Sequence, residues 1–269
     1  MNMQDFMALG DDRIFLYFTT FLLCLARIIG FFVQAPIFGS NHINHQVLVG
    51  LSAVITIVIY PFIPIPQQLP GGPVTFFLLV VSQIAVGLVI GFVAFIPMAM
   101  AQFGGETMDV QTGLSSAATY DPSSKGTINL IRRLVFYMAM IAYLMMNGHH
   151  VLIKAVVKSF DIVPLTGVRF SDTLVTELIR LTGQVLYVGV QIALPVVAAL
   201  FMIQIALGIM AKVAPQMNVF MLSFPLNILV GLSIMTSSMP IFYQRLKPLF
   251  EQNFNDIITA LQQIIPLAL

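Results

Sequence analysis

The chain has 269 residues, of which 58% are hydrophobic and only 9% charged, with a formal net charge of +1 and a mean hydropathy of +0.95. Soluble domains carry about 25% charged residues, so this is an integral membrane protein, and a charge near zero argues against nucleic acid and acidic surface partners. The single cysteine, Cys24, excludes an internal disulfide and a cysteine metal cluster.

Residues 1–13 contain Asp5, Asp11 and Asp12, the wrong sign for the start of a secretory signal, so the first apolar segment is expected to be retained. A hydrocarbon core about 30 Å thick needs roughly 20 apolar helical residues. That criterion predicts apolar helices near 14–35, 46–62, 74–101, 131–153, 185–211 and 219–242, with a shorter amphipathic helix over 249–263. The connectors run from Pro36 to Asn44, Pro61 to Pro73, Gly104 to Lys125 and Asp161 to Asp172, and the whole reads as one all-α domain over 1–269. There are 22 Phe and 16 Met but no Trp. The usual tryptophan belt is therefore missing, and methionine supplies adaptable packing between helices.

In the first helix Arg27 sits mid-segment, where a cation faces protein or snorkels outward. It is either a structural ion pair with a carboxylate of the bundle or a pore-facing group. The turn Pro36-Ile37-Phe38-Gly39 follows. In the third helix Gly87 and Gly91 are spaced so that two backbones can approach closely, and Pro97 removes a helical donor.

The segment Gly104-Gly105-Glu106-Thr107-Met108-Asp109-Val110-Gln111-Thr112-Gly113 carries two carboxylates that share one face of a helix. They either end a helix in water or stand on the wall of a pathway, since a carboxylate at bilayer depth costs about 2.5–3.5 kcal/mol. Leu114 to Gly126, with Tyr120 and Asp121-Pro122, is small and polar and longer than an ordinary connection. His149-His150 point about 100° apart on a helix and cannot converge on one metal.

Pro195 interrupts the helix over 185–211, and Lys212 in its last turn suits the negative end of the helix dipole. Then Ala214-Pro215-Gln216-Met217-Asn218-Val219-Phe220 breaks the chain between two apolar segments, followed by Phe224-Pro225-Leu226. Irregular backbone in lipid is costly unless protein or water covers it, so the break belongs where helices pack on helices or line a passage. Gln216 and Asn218 carry amides suited to freed backbone groups. Basic residues divide seven to four between the two sides that six spans would give, a bias too weak to fix the orientation. Phosphate loops, zinc-binding helix motifs and serine elbows are lacking, so no catalytic, cofactor or metal role is expected.

Leu194-Pro195, the 214–220 break, Phe224-Pro225-Leu226, Gly105-Glu106 with Asp109, Gln111-Thr112-Gly113, Asp121-Pro122, Asn147 to His150 and Lys158-Ser159-Phe160 to Pro164 together resemble the FliR family. That family is the membrane component of the flagellar and type III export gate. The resemblance covers roughly 14–248 and is densest at 104–122, 147–164 and 194–226. It implies long, kinked helical hairpins that assemble with FliP and FliQ around a closed protein-conducting pore. It further implies FlhB docked alongside, one copy per gate, unfolded exported proteins as substrates, and a place in the bacterial inner membrane at the flagellar basal body.

On that resemblance 106–125 is a movable plug involving Glu106, Met108, Asp109, Gln111, Gly113, Leu114 and Tyr120. Arg27, Pro36, Gly39, Pro195, Lys212, Pro215, Gln216, Asn218, Phe220 and Pro225 hold the fold and the assembly. The alternative from another class is a small secondary transporter, which also uses broken helices and intramembrane charges.

Overall fold

A computed structural model gives the fold and describes residues 3–36, 44–66, 72–113, 129–166 and 168–266. The helices are α1 (Met3–Gln34), α2 (His45–Ile59), α3 (Pro73–Thr112), α4 (Leu130–Met145), α5 (Gly148–Ile162), α6 (Asp172–Val213), α7 (Val219–Ser237) and α8 (Met239–Gln262). A 3₁₀ turn, Tyr60–Phe62, closes α2, and two short strands, β1 (Val168–Phe170) and β2 (Ile264–Pro266), pair antiparallel. The regular structure of the described residues is thus all-helical apart from one ribbon. Among the described residues Ile14–Gln34, α3 and α6 are each long and apolar enough to cross a membrane, and there are up to five such spans if each of the bent pairs, α4 with α5 and α7 with α8, counts as one.

Local chemistry sets the ends. Asn44 caps α2 by accepting from the Gln46 N–H at 3.0 Å, and Pro73 opens α3 where no helical donor is needed. Asp172 opens α6 and Lys212 closes it, each matched to the helix dipole.

Several boundaries differ from the sequence expectation. The helix expected over 131–153 breaks at Met146–Asn147, where Asn147 takes a φ of 56°, a conformation asparagine tolerates better than most residues. The helix over 185–211 begins earlier, at Asp172, because its charged first turns are helical without being apolar. The helix expected from 249 starts at Met239, with Pro240 in the first turn, where proline is tolerated. The connector placed at Gly104 to Lys125 begins only at Gly113. Gly104 and Gly105 act as contact surfaces there, as described below.

Packing divides the chain into two compact units, residues 1–95, 148–180 and 252–269, and residues 96–147 with 181–251. In the first, α1 lies close against α3 around residues 84–91. A Cβ on Gly91 would stand 2.6 Å from Phe31 O, and one on Gly87 would strike Arg27 O and Phe31 N. The ribbon ties the chain's last strand to the segment before α6, helped by Ser171 Oγ donating to Gln263 O and Thr173 Oγ1 to Gln263 Oε1, both at 2.7 Å. In the second unit, glycines again set the spacing. A Cβ on Gly104 would stand 2.9 Å from Gly189 O and from Ile192, and one on Gly231 would stand 2.7 Å from the Thr112 methyl. Tyr143 packs edge-on against Phe250, with centroids 5.1 Å apart.

Candidate functional site

The richest constellation lies where α3 ends and α4 begins. Gly105 lets the two helices meet, since a Cβ there would stand 2.8 Å from Arg132 Cα and 3.0 Å from Val135. That approach brings Asp109 onto the start of α4. Asp109 is fully buried, yet both its oxygens are filled: the Ile131 N–H donates to Oδ1 at 3.1 Å and the Arg132 N–H to Oδ2 at 2.9 Å. Asn129, at the cap position of α4, makes no side-chain cap of its own. Asp109 therefore caps α4 from a distance in sequence, placing negative charge at the positive end of the helix dipole.

Glu106, one turn earlier, is half exposed and pairs with Arg132 at 3.9 Å, and Arg132 Nη2 also donates to Gln102 Oε1 at 3.2 Å. Such an exposed pair contributes little by itself. The two carboxylates do share a face, as their spacing requires, and that face meets the first turn of α4. Thr112 Oγ1 returns a bond to Asp109 O at 3.0 Å, and Gly113 ends α3 at a φ of 79° with its N–H on Val110 O. That φ favours glycine, and a Cβ there would also meet the Phe224 ring at 3.2 Å.

Met108 is buried and lines a small cavity with Val135, Met138, Ile192, Pro195 and Met235. Gln111 is half-buried on the last turn of α3. Leu114 and Tyr120, and with them most of the expected plug, lie outside the described residues, as does Gly39.

Arg27 sits in the other unit and is wholly buried. Its Nε and Nη2 donate to Gln83 Oε1 at 2.8 and 2.5 Å, Nη1 to Ser159 O at 2.9 Å and Oγ at 3.2 Å, and Nη2 also to Val163 O at 2.9 Å. The guanidinium lies 4.4 Å over the Phe160 ring. Among the described residues its acceptors are neutral and no carboxylate pairs with it. The cation instead closes the end of α5, whose last carbonyls carry the negative end of the dipole. Gln83, Ser159 and Phe160 are partners that spacing along the chain could not have supplied. Pro36 is buried in the turn after α1.

Pro195 lies inside α6 and Pro225 inside α7. At the break between them the Met217 N–H reaches Ala214 O at 3.0 Å and the Val219 N–H reaches Met217 O at 2.9 Å. Asn218 Oδ1 accepts from the Met221 N–H at 3.3 Å and caps α7. Lys212, Pro215, Gln216 and Asn218 are all exposed at this corner, and Phe220 falls in the first turn of α7.

The family model for bacterial export proteins, family 1, matches residues 18–253. The chain is 31% identical over 243 residues to the flagellar biosynthetic protein FliR of Escherichia coli (strain K12), covering 89% of this chain and 93% of that protein. It is 30% identical over 236 residues to the protein of that name from Bacillus subtilis (strain 168), covering 87% and 91%. Against that of Pectobacterium carotovorum the identity is 28% over 238 residues, covering 87% and 91%.

Proposed function

Because the chain belongs to the bacterial export proteins, family 1, and within it to the FliR family of flagellar export-apparatus membrane proteins, we propose that it forms part of the wall of a closed protein-conducting channel. In this reading it coils with FliP and FliQ, one copy per gate, with FlhB alongside, in the inner membrane at the flagellar basal body. Unfolded exported chains pass through the opened gate.

The observation that carries the proposal is a mismatch of length. Residues 73–105 of α3 and 181–211 of α6 contain no charged side chain, which at 1.5 Å per residue amounts to roughly 50 and 45 Å of apolar helix. A bilayer core is about 30 Å thick, and fitting these runs by tilt alone needs roughly 50°, beyond the usual range of up to about 40°. Apolar surface is therefore left over for protein to cover. Tyr187, Leu194, Phe201, Met202, Ile205 and Ile209 are exposed along α6 and suit such cover.

The connector after Gly113 serves as the plug. Its two flanks are held by the Gly113 cap and by Asp109. Flexible Met and Phe side chains suit a seal that must repack around many passing sequences.

A photo-crosslinking residue placed at Phe201 or Ile209 in cells co-expressing the flagellar partners tests the assembly. Covalent adducts with FliP or FliQ are expected, and adducts with lipid alone would contradict it.

A further inference from the structure

The buried face of α8 carries Leu246, Phe250, Asn253, Ile257, Ala260 and Leu261 at helical spacing. Asn253 is the one polar member of that stripe and is only 3% exposed. An amide at such a position is costly unless its groups are bonded, and its Nδ2 donates to Val93 O at 2.8 Å.

Val93 lies four residues before Pro97 within α3. In an unbroken helix its carbonyl would accept from the N–H of residue 97, which proline does not have. We infer that the Asn253 side chain stands in for the donor that Pro97 removes, acting as a catch that satisfies Val93 O and registers α8 on α3. Asn253 is thus a positioning residue whose need arises from a proline on another helix.

The test is a double-mutant cycle in the full chain, expressed with its flagellar partners, reading both the thermal midpoint in detergent and export of flagellar substrate into the medium. Asn253→Leu leaves Val93 O without a donor, and the midpoint should fall by about 2–10 °C with loss of export. Pro97→Ala restores a backbone N–H at residue 97. Adding it to Asn253→Leu should return at least half of the lost midpoint and recover export. A residue needed only for packing volume would show no such suppression.

Additive losses in the double variant, or an Asn253→Leu protein indistinguishable from the parent, would overturn the inference. If Asn253→Leu yields no folded protein, recovery by Pro97→Ala supports the catch and failure to recover contradicts it.

Discussion

The Asp109 carboxylate and the Arg132 backbone amide lie 2.9 Å apart, so the last turns of α3 cap the first turn of α4 across the connector that joins them. With the Ile131 N–H also on Asp109, the two ends of that connector are pinned by one buried side chain. Whatever the connector does, its base is fixed.

Removing that pin should be costly. Asp109→Ala leaves the buried Ile131 N–H and the half-buried Arg132 N–H without this acceptor and is expected to destabilise the chain by about 2–4 kcal/mol. Asp109→Asn keeps one acceptor and should lose about half as much. Amide exchange at residues 131 and 132 reads the effect directly, and unchanged protection in Asp109→Ala would contradict the role.

Shortening the connector should act differently. Deleting part of 115–126 spares Gly113, Asp109 and the start of α4, so the complex should still form while the membrane leaks small ions. Conductance of cells or reconstituted complexes checks this. An assembled deletion with unaltered conductance would remove the plug from the account.

Arg27 should tolerate no simple replacement. Arg27→Leu strands Gln83 and the last carbonyls of α5, at a cost of about 3 kcal/mol or more. Arg27→Lys keeps the charge but cannot span the same fork of acceptors and should fall between. Pairing Arg27→Leu with Gln83→Leu should be milder than Arg27→Leu alone, because both partners of the strongest contacts are then gone. The amount of chain retained in the membrane ranks the three.

The glycines separate into two kinds. Gly87→Ala drives a methyl into the backbone of α1 at Arg27 and Phe31 and should destabilise by about 2 kcal/mol or more. Gly208 has nothing within 4 Å, so Gly208→Ala should be neutral or stabilise by up to about 1 kcal/mol. Thermal midpoints of the two variants decide between them, and a similar loss in both would refute the distinction.

Much of the architecture was legible because bilayer physics is strict. Composition alone requires apolar helices, and the Gly87–Gly91 spacing calls for close backbone contact, which the approach of Phe31 O to Gly91 supplies. The 214–218 break could be read from Pro215 and the amides of Gln216 and Asn218, since few other patterns interrupt so apolar a run. Tertiary partners were not legible. Gly104-Gly105 looks like a helix breaker until Arg132, Val135 and Gly189 stand opposite it. Arg27 suggested a carboxylate partner, yet the fold satisfies it with Gln83 and the end of α5, both remote in sequence. Asn253 stands in an apolar stripe, but its partner, Val93 O, lies on a helix remote in sequence. The ribbon of β1 with β2 gave almost no signal, because three-residue strands carry too little pattern to read.

The most direct test of the central claim is the mass of the intact complex captured through this chain when it is co-expressed with FliP and FliQ. The account predicts a defined hetero-oligomer containing one copy of this chain. A stable particle containing this chain alone would contradict it and favour a solute transporter.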